Sequence, residues 1–125
     1  MRWLVTGANG MLGTDLVDLL RSQGEDVTAA SRSTLDVTSA EAVKNAVAGH
    51  DVVVNCAAWT AVDDAEEHEE AALVVNGEAP RLLARAAAAT GARLVQVSTD
   101  YVFDGSAGTP YPEDAPHSPA ALVRP

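Results

Sequence analysis

Between the apolar run Trp3-Leu4-Val5 and Leu16 the chain reads Thr6-Gly7-Ala8-Asn9-Gly10-Met11-Leu12-Gly13, a Gly-x-x-Gly-x-x-Gly spacing. The run before the glycines reads as a buried strand. After them Leu12, Leu16, Leu19 and Leu20 share one helical face, and Gly24 is placed to close that helix in a left-handed turn. Three glycines alone would serve ordinary turns equally well. Set between a strand and a helix, they instead suit a phosphate: Gly7 for the tight turn, Gly10 for close approach of a diphosphate, Gly13 for packing the helix on the sheet. The free amides at the helix start then face the anion.

Working outward, Val27-Thr28-Ala29-Ala30 reads as a second strand. Thr38-Ser39-Ala40-Glu41 has capping-box spacing ahead of a helix carrying Ala42, Val43, Ala46 and Val47. Val52-Val53-Val54 is apolar throughout, as a parallel strand covered on both faces should be. A helical region follows from Asp63 to Thr90, with Pro80 demanding a break or kink and Gly91 a stop. Leu94-Val95-Gln96-Val97 is the fourth strand. The βαβαβαβ order predicts an α/β Rossmann-type fold, a doubly wound parallel sheet with helices on both faces. Residues 1–103 read as one NAD(P)-binding domain. Residues 104–125 hold five of the six prolines and no periodicity, and read as a loop or an unsupported tail.

The chain of 125 residues has room for one core, and 47% hydrophobic residues with 21% charged ones place it among globular proteins. Aromatics are only 4%, so Ala, Val and Leu must build that core. A net charge of −10 argues against a nucleic-acid backbone or an anionic membrane as partner. Cys56 is the single cysteine, so no internal disulfide can form, and within its apolar run it reads as a small buried hydrophobe. No apolar run is long enough to span a bilayer, and Met1 to Gly7 holds too short a stretch for a signal peptide. Together these predict a cytoplasmic chain.

Dinucleotide choice is read at the end of the second strand, where an acid would accept from the ribose 2′-hydroxyl. Ser31-Arg32 stands there instead, and an arginine can pair with a 2′-phosphate, which points to NADPH over NADH; a merely solvated arginine is the plain alternative. Asp36-Val37 follows where it could meet the adenine. Asp63 to Glu70 is acidic, but carboxylates near a helix start favour the macrodipole and face water, so no metal site is read there. His50, His68 and His117 share no ligand spacing. Ser98-Thr99-Asp100-Tyr101-Val102-Phe103-Asp104-Gly105 ends the fourth strand, and ligands are expected at a switch point beside strands one and four. Thr99 could bond a substrate oxygen there and Asp100 a sugar hydroxyl, or the segment could simply cap the strand.

Gly7 to Gly13, Val54-Asn55-Cys56-Ala57-Ala58-Trp59-Thr60-Ala61-Val62-Asp63, Val75-Asn76 and Ser98 to Gly105 together resemble the dTDP-4-dehydrorhamnose reductase family of extended short-chain dehydrogenase/reductases. The match runs over residues 1–119, nearly all of this chain but less than half of the family's length, so the fold is expected as the truncated, cofactor-binding part. The resemblance implies reduction of a 4-keto sugar nucleotide, dTDP-4-dehydro-L-rhamnose, by NADPH or NADH. It implies that Gly10, Met11 and Leu12 contact the diphosphate and Asp36 with Val37 the adenosine half, with Gly7, Asn9 and Gly13 also among the cofactor-binding residues. Ala57, Ala58 and Trp59 would line the nicotinamide side, Thr99 would be the hydroxyl member of the catalytic triad, and Asp100 would touch the sugar. Some relatives bind a divalent ion, Mg2+, at a dimer contact through an acid on helix one, where Asp15 falls; the other ligands lie beyond this chain.

The family's proton donor is a Tyr whose pKa is lowered by a Lys four residues later. This chain has Lys44 as its one lysine, and Gly105 and Ala115 stand four residues beyond Tyr101 and Tyr111. The family's Tyr is expected near Val123. If Val123-Arg124-Pro125 were encoded GTA-CGG-CCx, a shifted frame would hold Tyr-Gly. A frameshifted end and a chain cut short are equal expectations, and a catalytically dead NAD(P)-binding regulatory module is the alternative function. Four strands of a larger sheet would leave the fourth strand's far edge uncovered, which predicts self-association.

Overall fold

The computed structural model describes residues 1–119; the position expected for the family's Tyr, Val123, lies outside the described residues. Four strands, β1 (Arg2–Thr6), β2 (Asp26–Ala30), β3 (Val52–Asn55) and β4 (Arg93–Gln96), form one parallel sheet in the order β2-β1-β3-β4. Thr6 pairs in register with Ala30 on one side and with Asn55 on the other, and Asn55 pairs with Gln96. The chain turns left from β1 to β2 and then crosses back to β3, so the switch point lies between β1 and β3. That corrects the expectation that strands one and four flank it: β4 is the outer strand, separated from β1 by β3.

Right-handed crossovers place the helices. Helix α1 (Met11–Ser22) covers one face, where Val17 and Leu20 pack with Val5, Val52 and Val54. On the other face α2 (Ala40–Val47) and α5 (Ala79–Thr90) bring Val43, Val47 and Leu83 onto Leu4 and Val53. Successive residues of β1 and β3 thus alternate between two cores, and each fully buried Leu or Val contributes about 1.5–3 kcal/mol. The buried side of α1 is Gly13, Val17 and Leu20, with Leu16 packed beside them, while Leu12 and Leu19 are about half exposed, so only half of the leucine stripe seen in the sequence faces the core.

Local signals set the boundaries with two exceptions. Gly24 and Gly91 carry φ of 77° and 74° where α1 and α5 end. Helix α2 is capped by Ser39, whose Oγ accepts from the Ala42 amide at 3.3 Å, and not by the Thr38 of the expected capping box. The Thr38 hydroxyl instead donates to Asp36 Oδ1 at 2.5 Å, a local carboxylate that outcompetes the helix end. The predicted 63–90 region divides into α3 (Val62–Glu67), α4 (Glu69–Leu73), a π-turn (Val74–Glu78) and α5. Its break falls at His68, and Pro80 is taken up in the first turn of α5 directly after the π-turn, where its missing N–H costs little.

Beyond β4, Asp100–Val102 make a single 3-10 turn, and residues 104–119 form neither helix nor strand. They are tied down nonetheless. Ser118 donates its amide to the Val102 carbonyl at 2.8 Å, and the Phe103 and Tyr111 rings stack 4.6 Å apart.

Candidate functional site: a cleft at the carboxyl ends of the strands

At the opposite, amino-terminal end of the sheet, polar groups are paired off: the Arg2 amide donates to Asp51 and the Trp3 indole to Glu25. The carboxyl ends instead open into a cleft of about 1560 Å³. Gly7, Asn9, Gly10, Met11, Leu12, Gly13, Ser31, Arg32, Asp36, Val37, Ala57, Ala58, Trp59, Thr99 and Asp100 all line it. Residues separated by up to 93 positions, from Gly7 to Asp100, are therefore brought to one cavity by the parallel order of the strands.

The turn after β1 is shaped by steric exclusion. Gly7 has φ +62°, and a Cβ on it would stand 2.6 Å from the Ala57 nitrogen and the Cys56 carbonyl carbon. Only glycine fits both the backbone angle and the crowding. A Cβ on Gly13 would stand 2.2 Å from the Gly7 oxygen, so this glycine lets α1 close on its own preceding turn rather than on the sheet as expected. Gly10 is different. Its φ is an ordinary −75°, and an added Cβ would meet only the Gly7 oxygen, at 3.3 Å. The contact is tight but would be relieved by a shift of a few tenths of an ångström. The chain thus demands glycine far less there than at Gly7 or Gly13, which fits a position kept bare for a bound group.

Gly10 is also the N-cap of α1, no side chain caps this helix, and its first turn carries no acid. A helix start left without a cap and without a carboxylate is suited to an anion. The residues present therefore fit a dinucleotide diphosphate.

The β2 exit is a tight turn in which the Ser31 carbonyl accepts from the Thr34 and Leu35 amides, and the Ser31 amide donates to Thr34 Oγ1 at 2.9 Å. This presents Arg32 outward. Asp36 accepts from both the amide and hydroxyl of Thr38, which hold its carboxyl below the usual range, with Arg32 adding to the shift. One Asp36 oxygen is committed to Thr38 in this way.

The middle of the cleft floor is the β3 exit. The Asn76 side chain, buried in the π-turn, accepts from the Trp59 amide at 2.8 Å and donates to the Trp59 carbonyl at 3.1 Å. This two-point grip fixes the Ala57–Trp59 loop from below, and the Trp59 ring stacks on His68 at 5.8 Å. Sequence reasoning gave Asn76 no role, although Val75-Asn76 is one of the strings that carry the family resemblance, and that was its signal. Half-buried Cys56 also lines the cleft, and burial pushes its thiol pKa up, so it stays a protonated thiol.

At the β4 exit Thr99 does cap its own turn: its Oγ1 accepts from the Tyr101 amide at 3.2 Å and lies 3.4 Å from Asp100 Oδ1. The hydroxyl proton therefore has only a long contact and can turn toward a bound oxygen. Among the described residues no three His, Cys, Asp or Glu side chains gather into a metal-binding group, and Asp15 stands exposed on α1. No helix among the described residues is long and apolar enough to cross a membrane.

Fold and cleft together define a doubly wound α/β protein of the dinucleotide-binding type. The family model described as the RmlD substrate binding domain matches residues 1–123, and the chain belongs to that family. A dTDP-4-dehydrorhamnose reductase of Streptomyces griseus is 60% identical over 123 residues, 97% of this chain and 40% of that protein. Among solved structures, a dTDP-4-dehydrorhamnose reductase of Clostridium acetobutylicum superposes with a TM-score of 0.95 at 41% identity, over 98% of this chain and 45% of the other. The corresponding Bacillus anthracis enzyme, solved in complex with NADP, gives 0.93 at 35% identity, over 98% and 44%. The chain thus spans about two-fifths of the length of the curated relatives it matches.

Proposed function

We propose that this chain is the dinucleotide-binding part of a sugar-nucleotide reductase that converts dTDP-4-dehydro-L-rhamnose to dTDP-L-rhamnose with NADPH. The observation that carries the proposal is the uncapped, acid-free start of α1 behind Gly10, a glycine that the chain itself demands far less than Gly7 or Gly13. The amides of Gly10, Met11 and Leu12 hold the diphosphate, and Asn9 borders it. Ser31 and Arg32 take the 2′-phosphate that distinguishes NADPH from NADH, and Asp36 with Val37 borders the adenosine. Ala57, Ala58 and Trp59 seat the nicotinamide, which supplies hydride when bound. Thr99 bonds the keto oxygen and Asp100 a sugar hydroxyl.

Reducing a ketone also needs a proton for the developing alkoxide. Thr99 polarises that oxygen, but its pKa is far too high to serve as the acid, and the 125 residues hold no Tyr-x-x-x-Lys pair. This chain on its own is therefore expected to bind NADPH without turning over. Its acidity and single cysteine suit a reducing cytoplasm. The outer edge of β4, with Val95 and Val97 about 40% exposed, favours self-association, and light scattering should find species larger than a 125-residue monomer.

Calorimetric titration tests the reading. The wild-type chain should give saturable heat with NADPH, and Gly10→Ala should weaken binding about tenfold or more while shifting the melting temperature little. Absence of binding by the wild-type chain, or an unchanged affinity in Gly10→Ala, would sink the dinucleotide assignment. NADPH oxidation with the 4-keto sugar nucleotide by this chain alone would refute the claim that it lacks a proton donor.

A further inference from the structure

Three side chains in register cross the sheet at the floor of the cleft, which they help to line. Thr6, Asn55 and Gln96 are paired neighbours on β1, β3 and β4. The Thr6 hydroxyl donates to Asn55 Oδ1 at 2.6 Å, Asn55 Nδ2 donates to Gln96 Oε1 at 2.8 Å, and Gln96 Nε2 donates to the Val97 carbonyl at 2.8 Å. Thr6 and Asn55 are each only 1% exposed. All three lie on the α2 and α5 face, since Leu4 and Val53 two residues earlier are in that core.

The direction of this chain of bonds is settled by backbone groups. The Ala57 amide, which can only donate, also reaches Asn55 Oδ1, at 3.3 Å. The Asn55 amide group must then turn its nitrogen to Gln96. Gln96 accepts with its oxygen and is left to donate to the Val97 carbonyl, which can only accept. One arrangement satisfies every member, and it is the arrangement present.

Each member immediately precedes one wall of the cleft. Thr6 leads into Gly7, Asn55 leads into Cys56 and holds the Ala57 amide, and Gln96 leads into Val97 and the Ser98–Thr99 segment. We infer that Thr6, Asn55 and Gln96 are positioning residues, a polar rail that holds the glycine turn, the Trp59 loop and the Thr99 turn in one mutual arrangement. All three also border the cleft, so amide shifts measured without ligand are what separate positioning from direct contact. The inference rests on the dinucleotide reading for what the walls hold, but not for the rail itself.

Thr6 and Gln96 stand two strands apart, about 10 Å at the usual strand spacing. Substitutions at that distance without a shared partner add; here Asn55 is the shared partner, so they should couple. The test uses Thr6→Val, Gln96→Leu and the double variant in the whole 125-residue chain. Amide chemical shifts without ligand are the first readout. Gln96→Leu should move the Gly7 and Ala57 amides, and Thr6→Val should move those of Ser98 and Thr99, while Thr6→Ser restores the wild-type positions.

The second readout is NADPH affinity. If each single change weakens binding about fivefold, the double should weaken it about five- to tenfold and not the roughly 25-fold of independent effects. Shifts confined to the substituted strand, or affinity losses that multiply, would overturn the rail. Gln96 is exposed, so Gln96→Leu folds even if the buried Thr6→Val does not, and its effect on Gly7 and Ala57 decides the matter alone. Should the wild-type chain bind no NADPH, the function proposed above fails, while the shift measurements still decide the rail.

Discussion

The turn after β1 and the turn after β4 face the same cleft but are made differently. At Gly7 and Gly13 the structure is dictated by exclusion, with added Cβ atoms falling 2.6 and 2.2 Å from backbone. At Thr99 and Asp100 it is held by short-range side-chain bonds of 3.2 and 3.4 Å in the segment that follows the outermost strand. The first turn presents backbone amides whose geometry no side chain has to choose. The second presents a hydroxyl and a carboxylate that still have other places to go. A cradle for a cofactor can be finished within this chain; the polar chemistry at the far end is only half constrained.

The largest effect that would separate the two is Gly13→Val. Its branched side chain cannot coexist with the Gly7 carbonyl, so the turn or α1 must move, at a cost of about 3–5 kcal/mol in urea unfolding. Thr99→Val removes one turn cap, worth about 1 kcal/mol, and should leave NADPH affinity within about twofold. Comparable losses of stability at the two positions would break the contrast.

A middle-sized effect sharpens it on the cofactor side. Arg32 projects from a turn whose own hydrogen bonds use Ser31, Thr34 and Leu35 and leave its guanidinium outward. Arg32→Ala should weaken NADPH about tenfold, the value of one charge-assisted contact, and leave NADH unchanged. Equal losses for both dinucleotides would mean that Arg32 supports the loop and does not read the phosphate.

Much of the cofactor end was legible because steric exclusion writes itself into residue type. Gly7 and Gly13 announce the turn, and the Val52-Val53-Val54 run announces a strand covered on both faces, as it is. What the sequence hid depended on competition between nearby polar groups. Thr38 and Ser39 are both good caps, and only the position of Asp36 decides that Ser39 serves α2. The break at His68 and the π-turn before Pro80 arise from packing, including the grip of Asn76 on Trp59, which no periodicity encodes. The switch point depended on strand order, which a list of strands does not contain. The rail of Thr6, Asn55 and Gln96 became visible only once register placed three polar residues side by side.

The smallest effect concerns the clasp beyond β4, where Asp104 Oδ1 accepts from the Ser106 amide, the Ser106 hydroxyl and the Tyr111 hydroxyl at 3.0, 2.8 and 2.7 Å. These donors, the Ser106 amide first, lower the Asp104 pKa from 3.8 to about 2. A depressed carboxylate pKa stabilises the fold above the unfolded value and loses that contribution as pH falls through the folded one. The stability difference between the wild-type chain and Asp104→Asn should therefore be constant above about pH 5, shrink between about pH 4 and 2, and level off below that. Because Asp104 is exposed, the difference will be small, and added salt should reduce it further. The glycine turn has no titrating group, so the melting difference between wild type and Gly10→Ala should stay flat over the same range. A sloping Gly10→Ala curve would show that the glycine turn is coupled to a titrating group after all.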